Sequence, residues 1–288
     1  MDTRLGEPVT RQGERRWPEE GFTRIPYWVY TDRDVFDREM ERFFWGPEWS
    51  FVGLSCEIAA PGEFKRTWIG TRQVVMTRDK DGKACVFENR CAHKGALLCW
   101  TDRGKVKDFT CPYHQWNYDL AGNLQGIPFR RGALGKGGMP ADFDLASFGL
   151  RRLKVHERNG VVWASFASDA PAFEIWCGPD ALRYADRLFP GRELKLLGYN
   201  RQLIECNWKM YFENLKDPYH ATLLHAFFIT FGLWRADSQS SSSVDGQGRH
   251  GVAVAELHVV FLVVAPNAQV EEFAQRVHDR NADAVQAT

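Results

Sequence analysis

Four residues of the chain have side chains and spacing suited to binding a metal centre. Cys91 and His93 form the triplet C-A-H, and Cys111 and His114 form the quartet C-P-Y-H, with seventeen residues between the two halves. Thiolate sulfur and imidazole nitrogen both bind transition-metal ions. Because each half contributes one cysteine and one histidine, the pattern predicts a centre with two sulfur and two nitrogen ligands.

Two kinds of centre use such a ligand set. Structural zinc takes it as a tetrahedron, but zinc ligands usually come in like pairs, C-x2–4-C followed by H-x3–5-H. A Rieske [2Fe–2S] cluster takes two cysteines on one iron and two histidines on the other, and the imidazoles make the cluster easier to reduce. The mixed halves C-x-H and C-x-x-H favour the cluster, which transfers single electrons, and zinc stays open as the alternative.

A second candidate metal site lies further along the chain, at His220 and His225. These residues are five apart, so both reach one ion where a helix is locally irregular. Pro218 supplies a reason for irregularity, because proline lacks an amide hydrogen and restricts the preceding residue, Asp217. Two histidines and a carboxylate leave positions on Fe(II) open for O2 and substrate, as in non-haem iron oxygenases. The alternative is that either histidine is a hydrogen-bonded core residue.

The elements around the first motif are short and rich in β-branched residues. Gly/Asp turns separate these runs, which predicts a small antiparallel β domain between Phe51 and Trp163. The predicted strands are Thr67–Ile69, Val74–Thr77, Ala84–Glu88 and Val161–Phe166. Each half of the motif follows a strand, so we expect the ligands on two loops whose backbone amides donate to the sulfurs.

Helical patterns flank this β domain on both sides. Thr31-Asp32 predicts a helix start, and apolar residues at helical spacing follow it. Asp180–Leu188 and Asn207–Phe228 predict two later helices, whereas the Ser/Gly-rich segment Ser238–Gly251 predicts a loop.

Composition excludes several classes of partner. The 288 residues include 37 basic and 37 acidic side chains, so neither a nucleic acid nor an acidic membrane surface is expected as a partner. The most apolar run, Val259–Ala265, is too short to span a bilayer. The segment Met1–Glu20 has no apolar stretch typical of a secretory signal. Together with free cysteines, these features predict a cytoplasmic protein.

The two motifs together resemble the large (α) subunits of Rieske non-haem iron aromatic ring-hydroxylating oxygenases. The carrying patterns are C-x-H … C-x-x-H and N-W-K-x-x-x-E-N-x-x-D-P-Y-H-x-x-x-x-H, within a match from about Pro26 to Gly251. Finer features look most like the anthranilate 1,2-dioxygenase and salicylate 5-hydroxylase group: Gly62–Arg66, Cys111–Tyr118, Gly126–Arg131 and Phe231–Asp237. Gln115 departs from the pattern, because the wider superfamily most often has glycine there.

The resemblance implies a role for each candidate site residue. It assigns the ligands of the cluster, with the sulfurs on one iron and the imidazoles on the other: Cys91, Cys111, His93 and His114. It assigns the catalytic Fe(II) to His220 and His225. It makes Asp217 a catalytic residue that bridges, between neighbouring subunits, from a cluster histidine to an iron histidine, a role that suits a carboxylate accepting imidazole N–H groups.

The resemblance also implies a fold and a division of the chain. The predicted fold is α+β, with an antiparallel β Rieske domain inserted in an incomplete helix-and-sheet, helix-grip-like catalytic domain. Residues 1–44 are expected to begin the catalytic domain and 45–167 to form the Rieske domain. Residues 168–251 would continue the catalytic domain with its iron histidines, and 252–288 would form a divergent tail.

The implied activity is hydroxylation of an aromatic carboxylate of the anthranilate or salicylate type, using O2 and electrons from NADH. A ferredoxin, an NADH-dependent reductase or both are the implied electron donors. The implied assembly is a trimer of α subunits, with or without a small β subunit.

The tail is where the resemblance ends. In the family the third iron ligand is an aspartate beyond the matched region, and Val252–Thr288 shows no such motif. We therefore expect a frameshift or truncation, a missing third ligand, and little or no oxygenase activity. The alternatives are an electron-transfer module or a non-functional fragment.

Overall fold

The computed structural model describes residues 15–19, 24–134, 136–200, 203–216, 220, 224–225, 230, 243–244 and 250–251. Its first elements are two short helices, α1 (Trp28–Thr31) and α2 (Arg33–Glu39), followed by a π-helical turn at Met40–Phe44. The Asp32 carboxylate accepts the amide hydrogens of Asp34 and Val35, at 2.9 and 3.2 Å. Asp32 therefore caps α2, which confirms the helix start predicted at Thr31-Asp32.

An antiparallel β domain follows. Its strands are β1 (Ser50–Leu54), β2 (Glu63–Ile69), β3 (Arg72–Arg78), β4 (Ala84–Glu88), β5 (Arg103–Lys105), β6 (Phe109–Thr110), β7 (Asn117–Tyr118), β8 (Leu124–Gly126), β9 (Lys154–Arg158) and β10 (Val161–Ser165). They form three sheets, in the orders β4-β3-β2-β5, β1-β10-β9 and β6-β7-β8. Every predicted strand lies in this domain at the predicted place, with Val161–Phe166 one residue shorter.

The central strand β3 separates two apolar cores. Side chains alternate across a strand, so Val75 packs in the core beneath the metal-ligand loops, whereas Val74 and Met76 pack in the core shared with β1 and β10. All three are fully buried. Strand β3, which pairs with β4 and so supports the loop that carries Cys91, is therefore covered on both faces.

Helix α3 (Phe173–Leu188) is longer than the predicted helix at 180–188. It bends at Gly178, whose φ of 76° is non-helical, and Pro179 begins the second half. Proline is favoured at the first position of a helix, which explains why only the second half showed a clear helical start in the sequence. The first half is held by Phe173, which is buried against Trp49.

Helix α4 (Trp208–Lys216) occupies the first part of the predicted helix 207–228, and His220 and Leu224 also have helical backbone. Residues 217–219 lie outside the described part of the chain. The loop predicted at 238–251 is wrong at four residues: Ser243–Val244 (β11) pairs antiparallel with His250–Gly251 (β12). The pairing of β11 with β12 is made by backbone N–H and C=O groups, which every residue type except proline has. The Ser/Gly-rich composition of this segment therefore did not predict it.

The α+β class is confirmed by this mixture of helices and antiparallel sheets. In the part of the chain that the structure describes, none of the helices has the length and apolar content needed to cross a membrane.

Candidate metal centres

Two loops of matching backbone geometry carry the cysteines. The first follows β4 and holds Cys91, whose N–H donates to the carbonyl five residues on, at Ala96, and whose carbonyl accepts from Gly95. The second follows β6, and Cys111 makes the same two bonds to the residues five and four further on. The two halves of the sequence motif thus have equivalent backbone hydrogen bonds. Each half lies on a loop that follows a strand, as the sequence predicted.

The four predicted ligands come together as two like pairs. Cys91 and Cys111 are both buried, and the Cys111 thiol is near enough to raise the pKa of Cys91. The rings of His93 and His114 meet edge to face, with centroids 4.6 Å apart and planes 73° from parallel. His114 is exposed and His93 half-buried. This arrangement fits a Rieske cluster, in which each iron takes one like pair, with the sulfur end inside and the imidazole end at the surface.

The electrostatics of the pairs suit metal ligands. Burial lowers the pKa of His93, and the neighbouring His114 and Lys94 lower it further, so the ring stays neutral and able to donate a lone pair. Its Nδ1 atom is buried and accepts no hydrogen bond from the residues described. Burial raises the pKa of Cys91, although Tyr118 and the backbone N–H of His93 oppose this by hydrogen bonding to the sulfur.

Two aromatic residues complete the surroundings of this centre. The Tyr118 hydroxyl is buried, accepts the N–H of Ala92 and lies 3.2 Å from the Cys91 sulfur. Burial, together with the adjacent sulfur, raises the pKa of Tyr118, so the hydroxyl keeps its proton. Trp116 stacks on the His93 ring, with centroids 4.8 Å apart and planes 5° from parallel.

Two further residues of this centre, Asn89 and Tyr118, flank the ligand motifs and were not predicted to have a role. Asn89 is buried, and its Oδ1 accepts the amide hydrogens of Leu98 and Cys99 while its Nδ2 donates to the Cys99 carbonyl. It therefore closes the first ligand loop from inside. Its position two residues before Cys91 was the available signal, since Asn favours such side-chain-to-backbone bonds.

The two histidines predicted to bind Fe(II) also converge. His220 Nε2 and His225 Nε2 are 3.1 Å apart, and the ring centroids are 5.0 Å apart. Two nitrogens on adjacent corners of an octahedron, each about 2.1 Å from one ion, lie about 3 Å from each other. The pair therefore fits a single metal ion. Asp217 lies outside the described residues, and among those described no third His, Cys, Asp or Glu joins the pair.

Two sequence families match the chain. The family described as Rieske [2Fe-2S] domain matches residues 48–148, and the ring hydroxylating alpha subunit (catalytic domain) matches residues 177–286. The four predicted cluster ligands lie in the first range, and the histidine pair lies in the second. The second range also includes residues 252–286, most of the predicted divergent tail, and the predicted domain boundaries stay predictions.

Curated relatives and a solved structure are similar to most of this chain. The chain is 53% identical over 253 residues to the salicylate 5-hydroxylase large oxygenase component of Ralstonia sp., covering 86% of this chain and 60% of the relative. It is 45% identical to the anthranilate 1,2-dioxygenase large subunit of Burkholderia cepacia, covering 82% and 56%. Naphthalene 1,2-dioxygenase with bound indole superposes with a TM-score of 0.62 at 30% identity, covering 70% of this chain and 44% of that one. The chain thus spans less than two thirds of each.

Proposed function

The chain belongs to the family of Rieske ring-hydroxylating oxygenase α subunits, and we propose from this premise that it is the large subunit of an oxygenase for aromatic carboxylates. The reaction would use O2 and electrons from NADH to hydroxylate the ring. The observation that carries the proposal is that one chain has both the two ligand pairs of a Rieske cluster and the convergent pair His220 and His225. A chain that only transferred electrons through a cluster would need no second metal site.

The proposed roles of the residues fall into two groups, electron entry and the iron site. When bound, the cluster supplies single electrons, and Fe(II) supplies open coordination positions for O2 and substrate. His93 and His114 would hold the outer iron at the surface, where a donor protein or a neighbouring subunit has access. Asp217 would bridge a cluster histidine and an iron histidine across subunits by accepting their N–H groups.

The substrate class and partners follow from similarity to the relatives. Salicylate and anthranilate, named in two of them, are both aromatic carboxylates, which supports that class. Addition of one hydroxyl to salicylate would give gentisate, whereas addition of two to anthranilate would give catechol with release of carbon dioxide and ammonia. We further propose a cytoplasmic trimer of α subunits, with or without a small β subunit, that is reduced by a ferredoxin, an NADH-dependent reductase or both.

Metal content tests the proposed centres. We expect about three irons and two acid-labile sulfides per chain in anaerobically purified protein, with a Rieske EPR signal on reduction. His93→Ala should abolish that signal, whereas the matched control His156→Ala should keep it, because His156 packs against Phe173, away from the ligand loops. One zinc and no sulfide would overturn the cluster assignment.

Turnover tests the activity. The assay combines the chain with NADH, a family reductase and ferredoxin, O2, and either salicylate or anthranilate. Gentisate or catechol formation supports the oxygenase. Two irons with reversible reduction but no product would favour the electron-transfer module, and absence of iron would favour the non-functional fragment. The sequence also predicts that the divergent tail leaves this chain with little or no oxygenase activity. The same assay tests that prediction.

A further inference from the structure

The motif Asn207-Trp208-Lys209, at the start of helix α4, joins this helix to the N-terminal helices. Asn207 Oδ1 accepts the amide hydrogen of Lys209 at 3.1 Å, which caps α4. The same side chain donates from Nδ2 to the carbonyl of Tyr30, in α1, at 3.0 Å. One residue therefore both begins α4 and ties its first turn to an element almost 180 residues earlier in the chain.

The next two residues of the motif share one carboxylate. Glu39, the last residue of α2, accepts from Trp208 Nε1 at 3.1 Å and from Lys209 Nζ at 2.6 Å, both at Oε2. The Lys209 and Glu39 side chains are only 13% and 12% exposed. Removing one member of a largely buried charge pair is costly, because the other charge is left desolvated without its partner.

Aromatic contacts fix the rotation of α4 about its axis. The Trp208 ring packs edge-on against Phe44, with centroids 5.3 Å apart, and less closely against Phe43, at 6.4 Å. The Lys209 ammonium lies over the Tyr30 ring, 5.9 Å from its centroid. The first turn of α4 thus has polar and apolar contacts to α1, α2 and the π-helical turn.

Small rotations of α4 have large effects at its far end. The helix has nine residues, about 13 Å of rise, and it ends four residues before His220. Tilting it by about 5° at its first turn moves its last turn by about 1 Å. Binding sites require their ligands to be held within about 0.5 Å.

We propose that Glu39 is a positioning residue for the iron histidines. By holding Trp208 and Lys209, its carboxylate sets the direction of α4 and hence the placement of His220 and His225. This inference rests on the proposed function, since it assumes that the histidine pair binds Fe(II).

The test compares Glu39→Gln with Glu41→Gln, which alters an exposed carboxylate two residues away. Each full-length variant is depleted of mononuclear iron and titrated with Fe(II), and the EPR signal of its nitric oxide adduct is recorded. We expect the dissociation constant of Glu39→Gln to rise about tenfold with an altered line shape, as for other residues that orient metal ligands. Glu41→Gln should match the wild type, and the Rieske signal should be unchanged in both variants.

A double-mutant cycle provides a second test. Glu39→Gln and Lys209→Gln break the same pair, so their combined effect on the Fe(II) dissociation constant should be smaller than the product of the single effects. Wild-type affinity and line shape in Glu39→Gln would overturn the inference, as would loss of the Rieske signal together with the iron, which indicates general unfolding. A wild-type chain without a nitric oxide signal would instead refute the iron site of the proposed function, and the inference with it.

Discussion

At the scale of single residues, the Tyr118 hydroxyl is the contact with the clearest effect on the proposed cluster. A cysteine that binds the cluster is a thiolate with no hydrogen of its own, so the Tyr118 hydroxyl, 3.2 Å from the Cys91 sulfur, would be the donor of this hydrogen bond. A hydrogen bond to a ligand sulfur stabilises the reduced cluster more than the oxidised one, since reduction adds negative charge. Such bonds are among the factors that set the potential of iron–sulfur centres.

We therefore expect Tyr118→Phe to lower the reduction potential. A hydrogen bond to a charged group contributes about 1.5 kcal/mol, which for one electron corresponds to about 60 mV. A redox titration followed by EPR measures the shift. Tyr27→Phe is the control, because Tyr27 is 88% exposed and lies outside the β domain, and the potential of this variant should equal that of the wild type. An unchanged potential in Tyr118→Phe would show that the hydroxyl does not donate to the sulfur.

A second single-residue effect concerns stability against acid. Burial raises the pKa of Glu157, but hydrogen bonds from Arg78 and Ser55, together with the charge of Arg78, outweigh burial and lower that pKa below 4.5. Arg78 Nη1 is 2.8 Å from Glu157 Oε2, and Arg78 is buried. A carboxylate with a lowered pKa stabilises the folded state at neutral pH, and this contribution is lost as pH falls through the folded-state pKa.

We expect Glu157→Gln to lower the melting temperature at pH 7 and to have a shrinking effect as the pH falls below about 4.5. The measurement is thermal unfolding, followed by circular dichroism, of wild type and variant across that range. Glu174→Gln serves as the comparison, since its side chain is 49% exposed. A constant difference between wild type and Glu157→Gln at every pH would contradict the assignment.

At the scale of elements, the two ligand loops share one backbone design with a difference at a single position. The fourth residue after each cysteine has positive φ: 73° at Gly95 and 56° at Gln115. Glycine adopts this conformation without steric cost, whereas a side chain incurs about 1 kcal/mol. The second loop therefore carries strain that the first loop avoids.

This difference predicts that placing glycine at 115 and a residue with a side chain at 95 will have opposite effects on stability. Gln115→Gly should raise the stability of the folded protein by up to about 1 kcal/mol. Gly95→Ala should lower it, because the added Cβ would lie 2.9 Å from Arg90 Nε in addition to the unfavourable φ. Melting temperatures of both variants, with the Rieske absorption as a check on the loops, measure these effects. Equal shifts in the same direction would contradict the shared design.

The sequence predicted the elements whose signals are local. The strands β2–β4 stood out because β-branched runs alternate with glycine turns, and Asp32 predicted the start of α2. The bend at Gly178 hid the first half of α3, because a Gly-Pro pair is read as an interruption.

The residues of the candidate sites also differ in whether a local sequence signal predicts them. The spacing of cysteine and histidine predicted the ligand pairs. The bonds of Tyr118 and Glu39 link residues distant in sequence, so no local pattern contains them.

At the scale of the whole molecule, the two proposed centres differ in accessibility. Cys91 and Cys111 are buried within the β domain, whereas His225 is exposed. A cluster bound through buried sulfurs exchanges slowly, whereas an ion bound at an exposed histidine is accessible to a chelator.

A ferrous chelator should therefore remove about one iron per chain and leave the Rieske absorption intact. Iron and sulfide analysis before and after treatment, beside the visible spectrum, measures the outcome. Adding Fe(II) back should restore the third iron in the wild type but not in His220→Ala. Parallel loss of iron and sulfide would mean that the chain has no separate mononuclear site.

The contact between Glu39 and Lys209 also has a consequence for biosynthesis, because it joins residues 170 positions apart. At about 5–20 residues per second, a ribosome needs roughly 10 to 30 s to add that length of chain. During this interval the β domain has emerged, while the carboxylate of α2 still lacks its lysine and the aromatic residues beside it lack Trp208. The nascent N-terminus is thus expected to be a chaperone client until α4 is synthesised, and pauses in translation between the two would prolong that exposure.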